Sequence, residues 1–278
     1  MPTTVTTRAI QHRIQVNDVT LAVTEYAGQT AATDAPSLVL LHGIGSTGAS
    51  WWPVIDQLAA HFRLLVPDLR GHGASDKPPH GYLMPDHASD LDGLLTSFGI
   101  DRPLLFGHSL GGLISLTWAT EHPDKARAIA IEDSPLRGGS RVVPTFDGWI
   151  VMAQMTPDEL TTHYLSEYPH WPEDDCRRRA EVMTSVALPV FQELRAANLQ
   201  PEHADRIKPL SVIESPVLLV HGDLESGGMV IPDDVVRFTA SLPDAQAIRI
   251  PGAGHSLHRD HPDALLNAVL PFLLDAKH

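Results

Sequence analysis

Gly107-His108-Ser109-Leu110-Gly111 is the stretch whose reading decides the fold of this chain. It follows the apolar run Pro103-Leu104-Leu105-Phe106, which predicts a short buried strand. It precedes Leu113-Ile114-Ser115-Leu116-Thr117-Trp118-Ala119, which predicts a helix. Ser109 is therefore expected on a tight strand-to-helix turn, where Gly107, Gly111 and Gly112 remove the Cβ atoms that would collide. A serine presented at a helix N-terminus is a candidate nucleophile. A glycine-rich turn with an incidental serine would look the same locally, so the partners a nucleophile needs must come from elsewhere in the chain.

Those partners are a base, a group that orients the base, and donors for a developing oxyanion. The chain has 16 histidines, so one histidine alone means little. His255 stands apart because Gly252-Ala253-Gly254-His255 lies between the strand-like Ala247-Ile248-Arg249-Ile250 and a helical pattern from Asp263 to Leu274. His108 and His221 are read as bystanders to the chemistry. Oxyanion donors are expected from the backbone N–H groups of Ile44, in the loop His42-Gly43-Ile44-Gly45, and of Leu110, which follows the serine. Each such donor is worth about 3 kcal/mol in comparable sites.

Four motifs, His42-Gly43-Ile44-Gly45, Val66-Pro67-Asp68-Leu69-Arg70-Gly71-His72-Gly73-Ala74-Ser75, Gly107-His108-Ser109-Leu110-Gly111-Gly112 and Gly254-His255 with Asp260-His261-Pro262, occur here in one order. In them the chain resembles the α/β-hydrolase superfamily of the serine-nucleophile type, with its esterases, lactonases and carbon–carbon bond hydrolases. The resemblance covers nearly the whole chain and implies an order of nucleophile, acid, histidine. It points to an acid three residues after the glycine that closes Pro216-Val217-Leu218-Leu219-Val220-His221-Gly222, which is Glu225, although aspartate is commoner there. Some members carry the acid after the sixth strand instead, here Asp133 in Ala128-Ile129-Ala130-Ile131-Glu132-Asp133. The order of preference is Glu225, then Asp133, then Asp223.

At 278 residues, 43% hydrophobic and 19% charged, the chain can bury a large core as one domain carrying an insertion. A formal charge of −14 speaks against a nucleic-acid partner, since the run Arg177-Arg178-Arg179 is flanked by acidic residues. One cysteine, Cys176, excludes an intrachain disulfide. The expectation is a cytoplasmic enzyme with no signal core, no membrane span, no metal site and no cofactor, acting on a small-molecule substrate, with a homodimer left open.

The pattern along the chain predicts a hairpin, 12–16 and 19–26, turning at Asn17-Asp18. Strands follow at about 37–42, 63–67, 103–107, 126–132, 216–221 and 246–250, alternating with helices that include one from Ser50 to Phe62. This is an α/β fold with a mostly parallel sheet, its core at 1–134 and 211–278. Residues 135–210 break the rhythm and read as a helical cap, with helix starts at Thr156-Pro157-Asp158-Glu159 and Pro172-Glu173-Asp174-Asp175. Trp149, Tyr168, Trp171 and Leu136, with Trp51 or Trp52, are candidates for the substrate pocket wall, an apolar or aromatic lining. The same aromatics would serve equally to hold a small cap together. The expected reaction is cleavage of a small ester or lactone through an acyl-enzyme. Alternatives with the same triad are carbon–carbon bond hydrolysis or cofactor-free perhydrolysis, and a ligand receptor with little turnover stays open.

Overall fold

The computed structural model describes residues 8–27, 35–169, 171–201 and 204–276; the first seven residues lie outside this range. Its strands are β1 (Arg8–Val16), β2 (Val19–Ala27), β3 (Ser37–Leu41), β4 (Arg63–Pro67), β5 (Leu104–His108), β6 (Ala128–Glu132), β7 (Val217–His221) and β8 (Ala245–Arg249). They form one sheet in the order β1-β2-β4-β3-β5-β6-β7-β8. The pairs β1–β2 and β2–β4 are antiparallel and all the rest are parallel. The hairpin turns at Asn17, whose φ of 45° suits the tight turns that connect two-residue hairpins.

The central strands are apolar on both faces because both faces are covered. Leu38, Leu40, Leu104, Phe106, Leu218 and Val220 face one core layer, and the alternating Val39, Leu41, Leu105, Val217 and Leu219 face the other. The first layer is closed by the short α1 (Ile55–Ala59) and by α9 (Pro262–Asp275), through Leu58, Leu265, Val269 and Leu273. The second is closed by α2 (Met84–Ser97), α3 (Leu110–Glu121) and α8 (Pro232–Ser241), through Leu91, Leu94, Ile114, Trp118 and Phe238. The helix expected from Ser50 to Phe62 is instead a 3-10 turn, Gly48–Trp51, followed by α1. Pro53 separates the two, since it has no N–H with which to continue a helix.

Between β6 and β7 the chain leaves the sheet for α4 (Val143–Met152), α5 (Pro157–Glu167), α6 (Glu173–Ser185) and α7 (Leu188–Asn198). Helix α5 opens with a capping box: Thr156 Oγ1 accepts from the Glu159 N–H, and Glu159 accepts from the Thr156 N–H. The inserted helices continue the second core layer through Phe146, Leu160, Val190 and Phe191. The two ends of the insertion meet at an antiparallel bridge between Arg137 and Asp205. That meeting point is braced by ion pairs from the buried Asp234 to Arg137 (2.6 Å) and Arg237 (3.3 Å), and from Arg237 to Asp205 (2.5 Å).

Candidate active site

The turn after β5 holds Ser109 at φ 51° and ψ −110°, a conformation that costs a non-glycine residue energy and persists only where its surroundings enforce it. Two glycines do so. A Cβ on Gly107 would lie 2.3 Å from the carbonyl carbon of Gly111, and one on Gly43 would lie 2.6 Å from His108 Nδ1. Only bare backbone lets strand, turn and helix approach this closely. The Ser109 N–H donates to the Glu132 carbonyl at 2.9 Å, which ties the turn to β6. Among the described residues Ser109 Oγ makes no hydrogen bond, and it faces a pocket of about 460 Å³ including its mouth. Ile44 and Leu110 line the same pocket. The Leu110 N–H belongs to the first turn of α3, where no intrahelical acceptor exists.

Opposite, His255 Nδ1 lies 2.7 Å from Asp133 Oδ2. Asp133 is fully buried, also sits at positive φ (42°), and accepts from the N–H groups of Met229 (2.8 Å, Oδ2) and Gly222 (3.3 Å, Oδ1). An ionised carboxylate only accepts, so Nδ1 carries the proton and Nε2 is left with its lone pair free to receive one. The carboxylate brought against His255 is thus that of Asp133, after β6, and not that of Glu225, the residue preferred from the sequence. Residues Leu224–Ser226 form a 3-10 turn that leaves Glu225 exposed, because Asp223 is held inward. Asp223 itself does a different job. Its Oδ2 accepts from the Gly252 N–H at 2.8 Å and its Oδ1 pairs with Arg249 at 2.9 Å, which fixes the loop that carries His255.

His108 is more than a bystander in geometry. Its Nε2 lies 2.9 Å from the His255 carbonyl, so this nitrogen is the donor, and the two rings pack 4.6 Å apart. Burial, reinforced by the neighbouring His255, pushes its pKa well below the ordinary imidazole range, so it stays neutral. Beneath it, Glu132 accepts from both the backbone N–H (2.9 Å) and Nδ1 (2.8 Å) of buried His258. Among the described residues, His108, Glu132 and His258 are the one group whose ligand-type atoms converge, within 4.8 Å. His108 Nε2 and His258 Nδ1 are already engaged as described, so the group reads as a brace under the His255 loop. The loop 42–45 has its own brace. His42 Nδ1 donates to the Gly43 carbonyl (2.8 Å) while its Nε2 accepts from the Leu69 N–H (3.0 Å). His72 Nε2 accepts from the Gly45 N–H (3.3 Å). Burial pushes His42 down to about 4 and His72 down to about 3, which keeps both neutral acceptors.

Of the expected pocket residues, Trp149 lines the Ser109 pocket, beside Phe146. Tyr168, Trp171 and Leu136 do not. Tyr168 and Trp171 stack on each other at 4.0 Å, and Arg179 and Arg259 sit over the Trp171 ring at 4.4 and 5.7 Å. This arrangement commits their faces to the seam between the insertion and the His255 side of the core. Leu136 is buried within the core layer. Trp51 is likewise buried, packed on Phe106 and His258, while Trp52 is exposed. Sequence reasoning missed Arg206 and Asn198, which line the pocket from the return end of the insertion.

Comparison with known proteins agrees with this fold. Residues 36–171 match the family model described as alpha/beta hydrolase fold. The chain has the α/β-hydrolase fold. It is 28% identical over 275 residues to a 2-(acetamidomethylene)succinate hydrolase of Mesorhizobium japonicum, covering 95% of each chain. It is 29% identical over 264 residues to a pimeloyl-[acyl-carrier protein] methyl ester esterase of Pectobacterium carotovorum, covering 88% of this chain and 96% of the other. Among solved structures, an E-2-(acetamidomethylene)succinate hydrolase superposes with a TM-score of 0.80 at 26% identity, covering 96% of this chain and 99% of that one. No helix among the described residues is long and apolar enough to cross a membrane.

Proposed function

We propose that the chain is a serine hydrolase that cleaves a small ester or lactone through an acyl-enzyme. The observation that carries this reading is the 2.7 Å contact between His255 Nδ1 and buried Asp133, on a loop whose His255 carbonyl lies 2.9 Å from Nε2 of His108, the residue before Ser109 on the strained turn. Ser109 Oγ attacks the carbonyl carbon as its proton passes to His255 Nε2. The N–H groups of Ile44 and Leu110 receive the charge that develops on the carbonyl oxygen. His255 then gives the proton to the departing alkoxide and takes one from water; the hydroxide formed attacks the acyl carbon, and as the Ser109 ester bond breaks His255 returns that proton to Ser109 Oγ and the acid is released. Asp133 holds the tautomer and stabilises the imidazolium. The absence of a hydrogen bond from Ser109 Oγ among the described residues is compatible with this role, because catalytic contacts often tighten only once substrate is bound.

The four inserted helices act as the cap in this reading, shaping the pocket through Phe146 and Trp149 while the core performs the chemistry. A cytoplasmic setting belongs to the same reading, with Cys176 buried as a free thiol. Hydrolysis of a carbon–nitrogen bond is the second reading. It is favoured by the near full-length similarity to a hydrolase whose substrate carries an acetamido group. A fluorophosphonate probe followed by a panel of p-nitrophenyl esters, lactones, amides and vinylogous diketones tests the proposal. Ser109→Ala should abolish labelling and lower turnover by roughly 10⁶-fold. Retention of a tenth of wild-type esterase activity by that variant would refute the assignment of the nucleophile.

A further inference from the structure

The pocket wall around Ser109 is apolar except for four side chains: Ser109 itself, Thr145, Asn198 and Arg206. Among the described residues Arg206 is the only charged one on this wall, and its environment is unusual for an arginine. Its Nη1 donates to the Pro135 carbonyl at 2.7 Å and its Nη2 to Asn198 Oδ1 at 2.6 Å, and both acceptors are neutral. Among the described residues it has no carboxylate partner, and its Nε makes no hydrogen bond. The neighbouring Asp205 is not available to it, because Asp205 is paired with Arg237 and accepts from the N–H groups of Ile207 and Lys208. Burial alone lowers the guanidinium pKa to about 10, so the group is partly stripped of water yet remains a cation near neutral pH.

A desolvated cation held by neutral acceptors is costly, and a neutral side chain could bond the same carbonyl and amide at lower cost. The cost is recovered when an anion arrives, since a guanidinium presents a planar fork of donors that matches a carboxylate. The position suits this. Pro135 stands two residues after the triad acid and Asn198 closes α7, so the guanidinium bridges the core and the insertion on the wall of the pocket into which Ser109 points. With a net charge of −14, an anionic substrate would otherwise meet a repulsive field, which makes a local cation the feature that admits it.

We propose that Arg206 anchors a carboxylate of the substrate, so that the bond cleaved at Ser109 belongs to a small molecule that also carries a carboxylate, with an apolar body between the two. This deepens the hydrolase reading and rests on it.

The test compares two matched pairs. In the first, mono-p-nitrophenyl glutarate is set against p-nitrophenyl valerate, with the carboxylate in the acyl arm. In the second, 4-(butyryloxy)butanoate is set against its methyl ester, with the carboxylate in the alcohol arm. In at least one pair wild type should favour the acid in kcat/KM by roughly 10- to 100-fold, the range expected for one charge-assisted contact. That ratio should fall to near one in Arg206→Met and in Arg206→Gln, of which the second keeps a donor for Pro135 and Asn198. Ratios near one in wild type for both pairs, or a ratio that survives in whichever neutral variant folds, would overturn the proposal.

Failure of the hydrolase reading is separable. It would appear as no fluorophosphonate labelling of Ser109 and no cleavage of either member of either pair. In that event glutarate decides the anchor: it should raise the Tm of wild type and leave that of the neutral variant unchanged. No shift in wild type, or an equal shift in both, would overturn it.

Discussion

Lowering the pH from 7.5 to 5.5 should strip this protein of much of its stability, and the size of the loss follows from four buried histidines. His42, His72, His87 and His108 are at most 7% exposed. Desolvation is the leading cause that pushes each down, His42 to about 4, His72 to about 3, and His87 and His108 well below the usual imidazole value. In the unfolded chain an imidazole titrates near 6.5. Between pH 7.5 and 5.5 the unfolded state therefore takes up most of a proton at each of the four sites while the folded state takes up almost none. The depressed folded pKa means that the stabilisation is complete above about 6.5 and drains away as the pH falls toward the folded values. Over this interval each site loses about one decade in the folding equilibrium, about 1.4 kcal/mol, and the four together about 5–6 kcal/mol. That is a large share of the roughly 5–15 kcal/mol of a typical domain. Urea unfolding followed by circular dichroism at pH 7.5, 6.5 and 5.5 measures it, independently of activity and so of His255. The midpoint should fall by about 1 M or more with an unchanged slope. A midpoint that stays flat to pH 5.5 would refute the reasoning. The variant His42→Gln should flatten part of the dependence, since its amide has both a donor and an acceptor for Gly43 and Leu69 and cannot take a proton.

Two further outcomes concern the site. Asp133→Asn should lower kcat by roughly 10²- to 10⁴-fold with Ser109 still in place, since an amide at this position allows the wrong imidazole tautomer, while Glu225→Gln should leave kcat within a few fold of wild type. The reverse ranking would return the acid to the turn after β7. Trp149→Ala should shift relative kcat/KM across an ester chain-length series, whereas Tyr168→Ala, which breaks the Trp171 stack, should lower Tm and leave the series in proportion. A shift in specificity at Tyr168 as large as at Trp149 would mean that the stacked pair lies closer to the substrate than the pocket geometry implies.

The features legible in the sequence are those written into contiguous residues. Gly107 to Gly112 between an apolar run and a helical run specified the strand-to-helix turn that carries Ser109, and the runs at 37–42, 63–67 and 216–221 differ from the observed strands by only a residue or so at their ends. The acid was not legible to the same degree. Counting from Gly222 favours Glu225, and only the folded chain reveals that Asp223 is drawn under the His255 loop by Gly252 and Arg249, turning Glu225 outward. Arg206 was invisible for a related reason. An arginine beside an aspartate reads as a surface pair, and its isolation arises from Asp205 being claimed by Arg237, more than 30 residues further along the chain. The aromatics failed as pocket markers because Tyr168 and Trp171 spend their faces on each other and on Arg179, a contact between helices that no local pattern records.

The bridge between Arg137 and Asp205, with Asp234 and Arg237 behind it, brings the departing and returning strands of the insertion side by side. To the sheet, everything in between is therefore a closed loop on a common stalk, and the entropy of closing a loop grows only slowly with its length. Such an appendage can be lengthened, shortened or rebuilt over generations without disturbing the register of β6 or β7. Under the proposed function, the sheet that carries Ser109 and the insertion that covers it can then drift at separate rates, and one chemistry can be fitted to new substrates by replacing the part that stands on the stalk.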